Sequence, residues 1–331
     1  MHALARKFTL TLVSIAALFC VATPVASQTK LDLAIFHPER NAWTTTLKWW
    51  IDEVDKATQG RVKVVPHFAG SLVSLNETFK SVRDGAVPAG VTSAAAISGQ
   101  MPFMAYLEAM GGMPAKPAEI IATTTALRPI LEPEFHKQGL EYLWGQPSGG
   151  LIAMCRDRHL KSPADWKNRK VRTAGRWQAE QLRSMGVSPV ATDPSEQYIA
   201  LQNRTIDCAL SVSVIGSALK LHEVAPKVTL MHMPVNYSFY IVNKGIYDKI
   251  SAADRAAIRK LSLEADERSP EYLAKVEGDA IAQMKSQKAD IYALTAAELS
   301  ALRKGISPTN AKMDAEGGAV GKQIAAVLRR Y

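Results

Sequence analysis

Apolar and polar residues alternate along this chain in two rhythms. LDLAIF (31–36) repeats every second residue, and Trp43, Leu47, Trp50, Ile51 and Val54 then recur at helical spacing. VKVVPHF (62–68) reads as a strand. Ser74 and Glu77 form a capping box that opens a helix ending near Gly85. AGVTSAA (89–95) predicts a short strand of small residues, Ala118 to His136 a helix closed by Gly139, and LEYLW (140–144) a further strand. The second half continues the alternation. LIAMC (151–155), KVRTA (170–174), TIDCALS (205–211), KVTLMHM (227–233), SFYIVN (238–243) and DIYAL (290–294) are the expected strands. Ser162-Pro163, Asp193-Pro194-Ser195-Glu196 and Thr295 with Glu298 are helix starts. Gln178 to Met185 is a helix stopped by Gly186. Ser251 and Asp254 open a long helical stretch expected to break near Ser269-Pro270, and Ile306 to Leu328 is mostly helical.

Strands alternating with helices imply open α/β sheets covered on both faces. No fixed-period repeat and no low-complexity linker interrupts the pattern. Two α/β halves without a tether imply that the chain crosses between them more than once. The expected division puts 28–148 with roughly 237–276 in the first lobe, and 149–236 with roughly 277–331 in the second. A ligand would then lie in a cleft near the carboxyl ends of the strands.

The N-terminus changes this picture by fixing a compartment. Arg6 and Lys7 precede Leu10 to Val21, which is apolar apart from Thr11 and Ser14, and Val25-Ala26-Ser27 offers small residues. This is the pattern of a secretory signal, residues 1–27, with cleavage expected after Ser27 and export to the periplasm. Phe19 before Cys20 is too bulky for a lipoprotein site. About 300 residues remain, enough for two ordinary domains.

The formal charge is +9, but basic and acidic residues are interspersed. The one cluster, KNRKVR at 167–172, reads as a solvated turn entering a strand rather than a nucleic-acid patch. Cys155 and Cys208 both fall in expected strands. They are compatible with a disulfide or with two buried thiols. The chain has no CxxC, HExxH, GxSxG or phosphate loop, so neither a metal nor a cofactor is expected.

The stretch from Leu160 to Asp207 is the most informative. It contains Ser162-Pro163-Ala164-Asp165, Arg172, Met185-Gly186, Pro189-Val190, Ser195-Glu196-Gln197-Tyr198-Ile199-Ala200-Leu201-Gln202 and Ile206-Asp207. In order and spacing this resembles the solute-binding proteins of tripartite ATP-independent periplasmic (TRAP) transporters. Weaker similarity covers nearly all the rest, including GSLVSLNETFKSVRDGAV (70–87). The resemblance implies a two-lobed periplasmic binding fold with a hinge, closing on an organic acid. It also implies that Arg172 pairs with the ligand carboxylate. A guanidinium at a strand end is a rigid planar fork matched to two carboxylate oxygens. The alternative is an internal salt bridge, with Glu196 as partner.

Arg158 aligns with a second arginine of the family, and Ser211 with a polar ligand contact. The residues before Ser211 depart from the family's Val-Asp-Gly-Gln-Glu-Asn and read Ile206-Asp207-Cys208-Ala209-Leu210, which suggests a less polar ligand body. Trp177 stacks on a ligand or packs on the lobe. His37 and Ser93 end first-lobe strands, where the alternatives are a solvent-facing histidine and a turn serine. Asn236 and Tyr237 lie near a crossing and face the cleft or shape the hinge. Glu196 and Tyr198 read as cap and packing residues.

The implied function is capture of a small carboxylate by a monomer and its delivery to the membrane permease subunits of a TRAP transporter, without nucleic-acid contact. Two alternatives stand beside it. One is an exported enzyme using Glu196, His37 or His159 for acid–base chemistry. The other is a binding protein that signals to a sensor kinase. A monocarboxylate with an apolar part is favoured, and Arg158 leaves room for a dicarboxylate.

Overall fold

The computed structural model describes residues 28–40, 43–234 and 236–330. The expected signal segment, residues 1–27, lies outside them. Among the described residues eleven strands run in chain order. They are β1 (Thr29–Ala34), β2 (Val62–His67), β3 (Ala89–Ser93), β4 (Leu140–Pro147), β5 (Gly150–Cys155), β6 (Lys170–Thr173), β7 (Ser188–Ala191), β8 (Cys208–Val212), β9 (Lys227–Pro234), β10 (Tyr237–Asn243) and β11 (Asp290–Ala293). They form two sheets, β2-β1-β3-β10-β4 and β11-β9-β5-β8-β6-β7. This is the two-lobed α/β architecture that the sequence implies.

Each sheet is a buried middle layer. In the first lobe, Phe79, Leu127, Phe135 and Phe239 pack on one face, and Leu47, Trp50, Trp144 and Tyr240 on the other. In the second lobe, Leu182, Leu210 and Leu302 pack on one face, and Leu201, Leu221 and Met284 on the other. Both faces are covered, so the inner strands lose their polar alternation, as in LIAMC.

Strand direction sets where the site falls. β1, β2 and β3 are parallel, and β10 runs against both β3 and β4, placing Ser238 opposite Ser93. In the second sheet, β6 runs with β7 and β8, whereas β5 runs against β8. The carboxyl ends of β6 and β8 therefore share an edge with the amino end of β5.

The chain passes between the sheets at Ser148-Gly149, in the link from β9 to β10, along the helix Ala252–Ser286, and at Ser307–Thr309. The first two crossings touch, since Ser148 N donates to the Asn236 carbonyl at 3.1 Å. Gly149 and Asn236 both have positive φ, 103° and 57°. Those values suit glycine, and asparagine among the other residues.

Two expectations need correction. Helix Ala252–Ser286 runs 35 residues straight through Pro270 without a break. Packing on both lobes holds it, and Ser269 Oγ donates to the Gly145 carbonyl at 3.4 Å beside the proline. The segment 310–328 also does not stay in the second lobe. Helix Asn310–Leu328 returns to the first, where Ile324 and Val327 join Met101, Met104 and Leu107 in one apolar cluster.

The two cysteines are joined. Cys155 and Cys208 stand directly opposite each other on antiparallel β5 and β8 and form a disulfide. Among the described residues no helix is long and apolar enough to cross a membrane.

Candidate functional site

A cavity of about 60 Å³ lies between the lobes, lined from both sheets and both hinge segments. That is room for a handful of water-sized groups, since each needs about 10–15 Å³. Phe36, Trp43, Leu151, Leu210, Val212 and Ile215 form an apolar wall. Arg172, Ser211, Gln178 and Gln197 from the second lobe, Ser93 from the first, and Ser148 and Asn236 of the hinge segments supply the polar atoms.

Arg172 sits near the end of β6, 4 % exposed. Its Nε and Nη2 both donate to the Thr192 carbonyl, at 3.0 and 2.9 Å, and Nη1 donates to the Leu210 carbonyl at 3.0 Å. A guanidinium has five N–H groups. These bonds leave one N–H on each terminal nitrogen. Among the described residues Arg172 makes no ion pair, and the alternative partner Glu196 is exposed on the surface. Burial pulls the guanidinium down to about 10, opposed by the nearby Asp193 charge. It stays protonated at neutral pH. A buried cation without a counter-ion is costly, and an incoming anion relieves that cost.

Four expected residues reach the cavity besides Arg172, or border it. Ser211 follows Leu210 on β8, and among the described residues its hydroxyl has no hydrogen-bond partner. Ser93 lines the cavity while its Oγ accepts from Ala96 N at 3.2 Å, capping a short helix. Asn236 does likewise, its Oδ1 accepting from Ala95 N at 3.1 Å. His37 only stands behind the wall, edge-on to Phe36 and Trp43. It is neither solvent-facing nor a lining residue. It is 1 % exposed, and burial pulls its imidazole down to about 4, so it is neutral.

The structure does not bring the other three to the cavity. Arg158 is exposed and pairs with Asp157 at 3.1 Å. It follows the carboxyl end of β5, and because β5 runs against β8 that end points away from Arg172. Trp177 is fully buried with Ala105, Ala109 and Met313, so its role is packing between lobes. Tyr237 is a core residue packed in one cluster with Phe135, Tyr142 and Phe239, with its hydroxyl 3.1 Å from Thr124 Oγ1.

Sequence reasoning missed Phe36, Ser148, Gln178 and Gln197. Gln197 is fully buried, Nε2 donates to the Pro194 carbonyl at 3.3 Å, and Oε1 lacks a partner among the described residues. Its only signal was its place inside Ser-Glu-Gln-Tyr. Ser148 Oγ is also buried and unpartnered among those residues. Residues proposed for acid–base chemistry do not assemble. His159 pairs with Asp290 at 3.3 Å, while His37 and Glu196 lie apart from it.

A second interlobe contact closes the cleft beside the cavity. Glu108 of the first lobe accepts from Trp177 N at 2.6 Å and Gln178 N at 3.3 Å, the opening amides of helix Arg176–Ser184. Burial pushes its carboxyl up to about 7, against hydrogen bonds from Ser98 and those amides. Gly175 lets the surfaces meet, because a Cβ there would lie 2.5 Å from Glu108 Oε1 and 2.8 Å from the Ala95 carbonyl.

Comparison with known proteins gives a consistent answer. The sequence pattern of DctP, bacterial extracellular solute-binding protein family 7, matches residues 33–316. A solute-binding protein of Albidiferax ferrireducens is 25 % identical over 227 residues, spanning 64 % of this chain and 66 % of the relative. The crystal structure of a Bordetella pertussis extracytoplasmic solute receptor binding pyroglutamic acid superposes with a TM-score of 0.85. It is 19 % identical and covers 91 % of this chain and 99 % of the receptor. A TRAP periplasmic solute-binding protein from Ralstonia eutropha, with bound 2-acetolactate, gives 0.82 at 20 % identity, covering 92 % of this chain and all of that one (100 %). These likenesses show the fold.

Proposed function

The chain belongs to bacterial extracellular solute-binding protein family 7, a family of extracytoplasmic receptors rather than enzymes, and from that premise we propose that it captures a small organic acid. The carboxylate binds the two remaining N–H groups of Arg172 in the interlobe cavity. The observation that carries this reading is the buried guanidinium that lines the cavity without an ion-pair partner among the described residues. Two charged hydrogen bonds there contribute about 1.5–3 kcal/mol each. The apolar wall and the serine and glutamine groups supply the rest of a micromolar affinity, which needs about 8 kcal/mol.

The bound acid is handed to the membrane permease subunits of a TRAP-type transporter, with the closed pair of lobes as the recognised shape. The bound pyroglutamic acid and 2-acetolactate of the two structural relatives support a small carboxylate as the cargo. The N-terminal pattern of residues 1–27 supports delivery to the periplasm through a cleaved signal, and the protein acts there as a monomer. A melting-temperature screen of organic acids, sugars and amines tests the ligand class. Carboxylates raise the melting temperature. Stabilisation by neutral sugars or cationic amines and by no acid overturns the reading.

A further inference from the structure

The polar atoms of the cavity differ in what they accept. Arg172 only donates, and the hydroxyls of Ser148 and Ser211 can do either. The other lining acceptors are mostly engaged. Ser93 Oγ takes Ala96 N, Asn236 Oδ1 takes Ala95 N, and Gln178 Oε1 takes Ala174 N at 3.0 Å. Gln197 Oε1 is different. Its orientation is fixed, since Nε2 donates to the Pro194 carbonyl. Oε1 is thus an acceptor-only atom on a fully buried side chain that lines the cavity, and it has no partner among the described residues. Such an atom calls for a donor on whatever fills the space.

Charge and position narrow the ligand further. Arg172 is the only cationic residue lining the cavity among the described residues, and Arg158 is far from it. A second carboxylate would enter an apolar wall unpaired. Arg172 grips the Thr192 carbonyl, and Gln197 grips that of Pro194, two residues on in the same loop. The anchoring cation and the orphan acceptor are therefore neighbours.

Taking the carboxylate reading above as its basis, we infer that this site selects a small monocarboxylate bearing one O–H or N–H donor next to the carboxylate and an otherwise apolar body. Gln197 is the residue that reads the donor. Phe36, Leu151 and Ile215 receive the body.

Titration calorimetry on the mature chain tests this with matched triplets of acids. Each triplet shares one carbon skeleton and carries a 2-hydroxyl, a 2-oxo group or neither, from propanoate to 3-methylbutanoate, with 2-hydroxysuccinate as the dicarboxylate control. The 2-hydroxy acid binds about tenfold tighter than both partners of its triplet, one neutral hydrogen bond's worth. Gln197→Leu removes that preference, so the 2-hydroxy acid and the unsubstituted acid of each triplet bind alike. Equal binding within every triplet, a preference that survives Gln197→Leu, or tighter binding of the dicarboxylate each overturns the inference while leaving the carboxylate site standing. Binding of no acid at all removes the carboxylate site as well. The triplet comparison uses the unaltered protein, so it holds even if the variant fails to fold.

Discussion

Glu108 and Trp177 come from different lobes, and the Glu108 carboxylate accepts the Trp177 amide at 2.6 Å. The same carboxylate is pushed up to about 7 by burial. Its folded value lies above its unfolded one, so the native state binds more protons between pH 4.5 and 7. The stability this supplies is complete below pH 4.5 and is lost as pH rises through about 7. Glu108→Gln keeps the hydrogen-bond acceptor without the charge. Urea melts at a series of pH values will show a flatter slope across that window, and a gain on the order of 2–3 kcal/mol at pH 8. An unchanged slope removes Glu108 as its source.

Arg172 has two tasks, and one substitution series separates them. Arg172→Ala strips the Thr192 and Leu210 carbonyls of their donors as well as removing the charge. It lowers stability by about 2–4 kcal/mol and weakens carboxylate binding more than about a hundredfold. Arg172→Lys keeps the charge without the planar fork. It also loses affinity, by at least about tenfold. Calorimetry beside thermal melting distinguishes the losses, and intact binding in both variants removes Arg172 from the site.

Gly175→Ala tests closure. The added methyl meets Glu108 and Ala95 only across the cleft, at a backbone conformation that alanine tolerates. Overpacking of about 1–3 kcal/mol falls on the closed arrangement, so ligand affinity drops about tenfold. Each lobe keeps its own core. X-ray scattering with saturating ligand will show a larger radius of gyration than for the unaltered protein, and an identical one refutes this account.

The Cys155–Cys208 disulfide spans 53 residues of sequence and lies wholly inside the second lobe. Replacing both with alanine removes a loop constraint of about 4 kcal/mol in the chain-entropy description. The melting temperature falls by several degrees, and ligand affinity stays within about twofold, because the bond lies at the far end of β8 from Ser211 and Val212. A large loss of affinity with unchanged melting would invert that assignment.

Much of this was legible in the sequence. The strand–helix rhythm and the run from Leu160 to Asp207 led to the architecture, and the family resemblance of that run singled out Arg172 where strand position alone left a salt bridge equally open. Strand direction was not legible. Arg158 was misplaced because nothing in LIAMC says that β5 opposes β8. Trp177 follows the Arg172 turn and Tyr237 lies near a crossing, placements that suggest a site, yet both are buried among apolar side chains. Gln197 was passed over for the opposite reason, since a polar residue inside a helix-start motif reads as surface. β7 was missed because it is short, contains Pro189, and lies half-exposed at the sheet edge.

Because the described residues shuttle repeatedly from one sheet to the other, with β1 and helix Asn310–Leu328 both in the first lobe, neither half exists as a continuous stretch of sequence. No truncation or single proteolytic nick can release a self-sufficient module. An evolutionary exchange of one half between relatives would need several simultaneous splices. Changes in what such a receptor carries are thus pushed toward individual side chains lining the crevice, with the frame inherited whole.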